Sequence, residues 1–307
     1  MFVGEFFIRA MDEKNSRIEI FKQHRNRLFG IAYRMLGARA DAEDILQEAY
    51  LRWHKAEPEE IRSAEAWLVT VVTRLSIDRL RIAQAEREKY IGPWLPEPLA
   101  VDTSFTPEEQ LEFASNLSLA FMVLLERLSP IERAAFLLRD VFNCPYSEIA
   151  RIVGKNEAAC RQLIHRARTR VRNDEPRYEA NEEDRLRLIE KFMTAVNAGD
   201  EETLLSLFAE DVTLTSDGGG VVPASRKVIL GKKKIVRLFY LLGAKLKEHI
   251  ELRVANINGQ TGFVTYVYGK LFDVTTFETD GTQIKAMYKL LNPYKLKNFA
   301  DETFFAE

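Results

Sequence analysis

The sequence predicts a multidomain protein, two all-α domains followed by an α+β domain, and three observations carry that prediction. Apolar residues recur at helical spacing through the first 170 residues or so, whereas alternating strand-like runs appear only beyond residue 210. Glycine usage changes at the same place: five of the fifteen glycines precede residue 199 and ten fall from Gly199 to Gly281. Finally, 307 residues suffice for two domains or three small ones at about 150 residues each.

The first helical domain is placed at 15–90. Ile18, Phe21, Leu28, Ile31, Ala32 and Met35 share one helix face, and Ala42, Ile45, Leu46, Ala49 and Trp53 share another. Ser63 is the expected N-cap of a third helix, running to about Ile82. Pro93, Pro96, Pro98 and Pro107 crowd the next stretch, so 91–106 reads as a linker that cannot continue a helix. A second helical domain is expected at 107–175. Thr106-Pro107-Glu108-Glu109 and Ser129-Pro130-Ile131-Glu132 are capping boxes with proline at the first helical position. A short helix over Tyr146–Val153, a stop at Gly154 and an N-cap at Asn156 then predict a helix, a tight turn and a second helix.

After a short linker at 176–183, residues 184–307 should form the α+β domain. An amphipathic helix from Glu182 stops at Gly199, and a second covers Glu202 to Phe208. Strands are expected over Val212–Thr215, Ile250–Ile257, Phe263–Phe272 and Ile284–Leu291, with a helix from Lys232 to Leu246 between the first two. The expected sheet is curved and largely antiparallel.

Composition excludes several classes. No run approaches the 18 to 20 or so apolar residues that cross a bilayer, so no membrane span is expected. Met1 to Arg9 is broken by Glu5 and has no small-residue cleavage site after it; no signal peptide is expected, and Met11 is an alternative start. Two cysteines, Cys144 and Cys160, cannot build a disulfide scaffold, which points to the cytoplasm. No cofactor is expected, and no metal either, since His165 has no ligand partners nearby and suits a phosphate or base contact better. The net charge of −2, from 44 basic and 46 acidic residues, argues against nucleic acid only if charge is evenly spread. It is not. Lys155 to Arg172 holds six basic residues against Glu157, a local charge of +5, while Glu97 to Glu112 holds five acids and no base.

The helix after Asn156 carries Cys160, Ile164, Ala167 and Val171 on one face and Arg161, His165, Arg168 and Arg172 on the other, with Gln162 and Arg166 alongside. A solvated basic face is one account. The preceding turn and cap favour the other, in which Asn156, Glu157, Arg161, Gln162, His165, Arg166 and Arg168 meet DNA; Arg161 suits guanine and Gln162 adenine. Asp41, Glu43 and Asp44 open the second helix, where they either offset the helix dipole or, with Gln47, Glu48 and Arg52, form an acidic docking face. Trp67, near Arg74, Arg79 and Arg81, suits core packing first and base stacking as an option. Asp217-Gly218-Gly219-Gly220 follows a strand and reads as a turn, or less readily as an anion nest; it is no P-loop. Asp211, Asp217, Asp273 and Tyr240 could do acid/base chemistry, but no motif fixes a catalytic pair.

Leu28 to Gly37, Asp41 to Ala49 and Tyr146 to Arg168 resemble the second and fourth conserved regions of bacterial extracytoplasmic-function (ECF) sigma factors. Trp94-Leu95-Pro96-Glu97-Pro98, Asp217 to Gly220 and Asn292-Pro293-Tyr294-Lys295-Leu296 are similar to signatures of the subgroup with a fused, cone-shaped SnoaL-like domain of the NTF2-like class. The resemblance implies partners and roles. Asp41, Asp44, Gln47, Glu48 and Arg52 would contact core RNA polymerase, at its β′ subunit, with β as the further partner. Arg62, Trp67, Arg74, Asp78, Arg79 and Arg81 would capture and melt the −10 element of promoter DNA, and the helix from Asn156 would read the −35 element. Trp94, Pro96, Pro98, Asp217, Gly218, Gly219, Gly220, Asn292, Pro293, Tyr294, Lys295 and Leu296 would be regulatory, the segment from Asn292 and the proline-rich linker contacting the SnoaL-like domain. Tyr294 stands where the family commonly has Asp. Phe299, Phe304 and Phe305 offer an apolar tail expected to pack back. A monomer without enzymatic activity is expected, and a small-molecule ligand of the last domain is an option.

Overall fold

The computed structural model describes residues 2–57, 61, 63–99, 117–174, 180–246 and 249–300. They form two compact units, 1–86 with 125–173 and 87–124 with 174–307. The capping box at Thr106, the tail phenylalanines Phe304 and Phe305, Arg62 and most of the acidic stretch after Glu97 lie outside the described residues.

The first unit is helical. Helices α1 (Phe2–Leu36), α2 (Arg39–Lys55) and α3 (Ala64–Arg87) carry the expected apolar faces, with Leu28, Ile31, Ala32, Met35, Ala42, Ala49, Leu68, Val72 and Leu80 buried. Ser63 caps α3 as its sequence predicts, its Oγ accepting from Ala66 N at 3.3 Å. Helix α1 runs back well beyond the first expected apolar residue, Ile18. Helix α4 (Leu119–Leu125) belongs, up to residue 124, to the second unit; α5 (Pro130–Phe136) of the first unit has its capping box formed in full: Ser129 Oγ accepts from Glu132 N, and the Glu132 carboxylate accepts from Ser129 N. A π-helical turn, Leu137–Val141, follows. Helix α6 (Tyr146–Val153) stops at Gly154 in the left-handed conformation, φ 67°, and α7 (Glu157–Asp174) starts where Asn156 Oδ1 accepts from Ala159 N at 2.8 Å.

Arginines join these helices by donating to C-terminal carbonyls that a helix cannot satisfy itself. Buried Arg133 of α5 donates through Nε to Arg34 O at the end of α1 (2.8 Å) and through Nη1 to Glu126. Arg74 of α3 donates to Ile152 O and Arg151 O at the end of α6, at 3.0 and 2.7 Å.

The second unit is built on a six-stranded sheet in the order β2-β1-β6-β5-β4-β3, from β1 (Phe208–Asp217), β2 (Ile229–Leu230), β3 (Ile250–Ile257), β4 (Gln260–Val267), β5 (Lys270–Thr279) and β6 (Ile284–Leu290). Only β1 and β6 pair in parallel. Helices α8 (Glu182–Ala198), α9 (Glu201–Leu207) and α10 (Lys232–Leu246) cover one face, where Ile189, Phe192, Leu207, Ile235, Val236 and Phe239 meet Phe263, Phe277 and Met287.

The single strand expected over Phe263–Phe272 is two. Tyr268 (φ 51°) and Gly269 (φ 70°) turn the chain into a hairpin, as Asn258 (φ 53°) and Gly259 (φ 78°) do between β3 and β4. Consecutive positive φ values match the twist of tight hairpins. Aromatic and β-branched residues on both sides of Gly269 hid the break.

Alternation puts Ala255, Ile257, Val264, Val274 and Leu290 on the opposite face. That face is covered by Leu95 of the proline-rich stretch, by Leu119, and by Leu296 and Phe299 of α11 (Pro293–Ala300). As far as Leu99, the proline-rich stretch is therefore a strap fixed on the sheet. Leu95 and Leu99 are buried, each worth about 2 kcal/mol by removed apolar area.

Candidate functional site

Three groups of side chains emerge. The first lies on α7. Cys160, Leu163, Ile164, Ala167 and Val171 are buried, and burial pushes the Cys160 thiol up, so it is an inert core residue. On the far side Arg161, Gln162, His165 and Arg166 are exposed, as are Asn156 and Glu157. The arginines differ in what they hold. Arg168 forms a two-pronged pair with Asp140 at 2.8 and 2.6 Å, and that hydrogen-bonded carboxylate raises its pKa. Arg170 and Arg166 reach Glu132 at 2.7 and 3.7 Å. Burial works to raise the Glu132 pKa, but its hydrogen bonds from Ser129 and the two guanidinium charges hold it below the ordinary value. The C-terminal half of α7 is thus tied to its own unit, and Arg161, Gln162 and His165 present the free hydrogen-bonding edge. Arg161 lies 3.4 Å from Glu157 and over the Tyr146 ring at 5.4 Å, loose contacts that solvent screens.

The second group is on α2 and α3. Asp44, Gln47 and Arg52 are exposed, and Glu48 pairs with Arg52 at 2.8 Å. Asp41 accepts from Arg79 Nε at 2.9 Å, so one residue of the acidic face is bridged to one of the expected −10 residues; Arg79 also reaches Glu86. Asp78 and Arg81 pair on the surface at 2.7 Å. Trp67 is half-buried, its ring 5.6 Å from Trp53, which satisfies the packing account of it. Arg74 is spent on the end of α6.

The third group brings together signatures from three distant parts of the chain. Asp217, with no exposed surface, accepts from Tyr90 Oη at 2.6 Å, Leu95 N at 2.8 Å, Lys295 Nζ at 2.7 Å and Gly219 N at 3.1 Å. Lys295 Nζ donates also to Leu95 O at 2.6 Å. Burial lowers its pKa to about 8, although neighbouring Asp217 acts against that. Trp94 is flanked by Arg87, 3.5 Å from its ring centroid, and by Lys295 at 4.2 Å. Asn292 donates to Tyr90 Oη and caps α11 by accepting from Tyr294 N, with Pro293 at the first helical position. Tyr294, at the departed position of the signature, is 76% exposed and takes no part in the cluster. Pro96 and Pro98 are buried.

The glycines have a steric reason. A Cβ on Gly219 would lie 2.3 Å from Asn292 Nδ2, one on Gly220 2.8 Å from Ile91, and one on Gly218 2.7 Å from Ala224. Gly219 and Gly220 also have φ of 61° and 72°. Close packing of the turn on Asn292, on Ile91 and on its own Ala224 explains the triplet without an anion. Asp217 has its carboxylate filled and Tyr240 is exposed on α10, so neither has the setting of an acid/base pair. Tyr90, and Asn258, which holds Leu99 N at 2.8 Å and Leu117 O at 3.0 Å, are among the polar residues that the sequence does not single out. Neither belongs to a motif.

A helix-turn-helix with an exposed basic edge, a helix with an acidic face in the same unit, and a strapped α+β domain together have the make-up of a DNA-binding transcription protein. Residues 20–86 match Sigma-70 region 2 and residues 118–171 match Sigma-70 region 4. The chain is 40% identical over 257 residues to the ECF RNA polymerase sigma factor SigJ of Mycobacterium tuberculosis, a match covering 81% of this chain and 80% of that one. It is 29% identical over 285 residues to the probable ECF sigma factor SigI of the same organism, covering 90% and 93%. The crystal structure of M. tuberculosis SigJ superposes with a TM-score of 0.74 at 34% identity, over 91% of this chain and 98% of the other. The chain belongs to the ECF RNA polymerase sigma factors. No helix among the described residues is long and apolar enough to cross a membrane.

Proposed function

We propose that this sigma factor binds core RNA polymerase through the exposed acidic edge of α2, with Asp41, Asp44, Gln47, Glu48 and Arg52 meeting the β′ subunit, and that it opens and reads promoters with two helical modules. Arg62, Trp67, Arg74, Asp78, Arg79 and Arg81 serve the −10 element. There a base that must leave the stack needs an aromatic or cationic partner. Asn156, Glu157, Arg161, Gln162, His165, Arg166 and Arg168 serve the −35 element, with Arg161 and Gln162 reading base edges and the later arginines approaching phosphates. It works in the cytoplasm as a monomer until it meets polymerase, makes no covalent change, and is restrained by its own α+β domain through the strap. A small-molecule ligand of that domain belongs to the same reading.

The observation that carries this proposal is the exposed Arg161, Gln162 and His165 edge following the Gly154 turn, on a chain of this family. Capture of purified core polymerase tests the docking half. Asp44→Lys combined with Gln47→Lys should weaken capture about tenfold or more, through like-charge contact with a basic partner, while leaving thermal stability nearly unchanged because both positions are exposed. Undiminished capture would remove α2 from the interface.

A further inference from the structure

The α+β unit contains a second polar cluster, on the opposite face of β6 from Leu290 and the strap. Asp273, Thr275, Thr265 and Lys289 share the helix-covered face, since Thr265 is in register with Asp273 and Thr275 with Lys289. Asp273 has no exposed surface and accepts from Lys289 Nζ at 2.6 Å, Thr275 Oγ1 at 2.8 Å and Thr265 Oγ1 at 3.1 Å. The Lys289 side chain is only 9% exposed. Among the described residues its ammonium donates to Asp273 alone and otherwise meets the Phe239 ring at 5.8 Å, leaving N–H donors unspent.

Lys289, Asp273 and Thr265 form the polar patch of a cavity of about 40 Å³, whose remaining walls are apolar: Phe192, Phe239, Phe263 and Phe272, with Ile250, Leu252 and neighbours. Phe192 packs edge-on to Phe239, centroids 5.1 Å apart, and lies 5.4 Å from Phe263. A buried ion pair is not what stabilises such a core, because apolar residues of similar volume generally serve as well or better. An apolar cavity with a few convergent polar groups is instead the composition of a small-molecule site. The Asp217 cluster invites no such reading, because its donors and acceptors are met by the strap.

We propose that this cavity binds a small neutral molecule with an apolar body and one hydrogen-bond-accepting oxygen, a carbonyl compound, whose oxygen accepts from Lys289. The charge balance selects neutrality: Asp273 already compensates Lys289, so a carboxylate would bury a net negative charge. The void has room for about three waters, which suits a ligand of a few heavy atoms, and Phe272, 37% exposed, is its wall toward solvent. The inference rests on the reading of this domain as a ligand-holding regulatory module. Its test uses binding and not transcription, so its failure leaves the sigma-factor assignment standing.

The experiment is ligand-observed NMR on the full chain with acetone, propane and acetate as probes, each small enough for the void. Acetone should bind, and in the double variant Lys289→Met/Asp273→Leu, which leaves no unpaired buried charge, its affinity should fall about tenfold while propane binding persists. The hydrocarbon serves as the control that the variant cavity is still formed. Phe239→Trp, which fills the cavity from its wall, should abolish binding of both. Equal ketone affinity in the parent and the double variant would overturn the proposal. So would preference for the carboxylate, or a cavity that takes up none of the three probes and holds only water in the parent chain.

Discussion

Lys295 is a charge-bearing side chain held almost out of water between a carboxylate and a backbone carbonyl, and this fixes how the strap responds to pH. Its pKa of about 8 lies below the ordinary 10.5, with burial as the leading cause. The folded unit therefore sheds this proton first, while the unfolded chain keeps it to higher pH. Between about pH 8 and 10.5 the unfolded state binds more protons, so the contribution of Lys295 to stability rises with pH, by at most about 3 kcal/mol, and is absent below that window. Denaturant unfolding of the strapped domain across this range should show the rise, and Lys295→Met should flatten it; an identical slope in the variant would assign the titration elsewhere. The cluster was only partly legible in the sequence. The resemblance singled out Trp94, Asp217, Asn292 and Lys295, but Asp217 and Lys295 are 78 residues apart, and no local pattern reports that two such groups meet. Tyr90 and Asn258 carried no signal, because a single tyrosine or asparagine looks alike on a surface and in a buried network.

Helix α7 divides its work along its length. The N-terminal half presents Arg161, Gln162 and His165 unhindered, and the C-terminal half is tied by Asp140 and Glu132. Arg161→Ala with Gln162→Ala should therefore abolish −35 discrimination, losing about 1 to 3 kcal/mol per base contact, with little change in melting temperature. Arg168→Ala should instead lower stability by about 1 kcal/mol, because it leaves Asp140 without its two-pronged partner. Promoter-variant transcription paired with thermal melts separates the two; loss of stability from the first pair and none from Arg168 would reverse the division. The limits of these helices were legible, since Gly154, Asn156 and the Ser129 box are short-range signals that act through the backbone. Pairing across the sheet was less so. The turn at Tyr268-Gly269 lacked the usual asparagine, and the strap's burial of Leu95 depends on which face of β4, β5 and β6 lies uncovered, which only the assembled sheet decides.

At the scale of the whole chain, a net charge of −2 conceals opposed surfaces. The +5 segment at α7 is partly neutralised within its own unit by Glu132 and Asp140, which weakens the pull of its exposed arginines on phosphates. Such a protein should hold duplex DNA weakly by itself and acquire promoters when polymerase supplies the remaining contacts. The strap gives the α+β domain a grip on the segment leading to region 4, the basis proposed for its control of activity. The most direct test is run-off transcription on fragmented genomic DNA with purified core RNA polymerase, comparing core alone, the chain alone, and core with the chain or its Lys295→Met variant. Transcripts from discrete start sites should appear only when core and chain are combined, with the variant shifting their yield. No transcripts above core alone with either form, together with tight duplex binding by the unaided chain, would contradict the account.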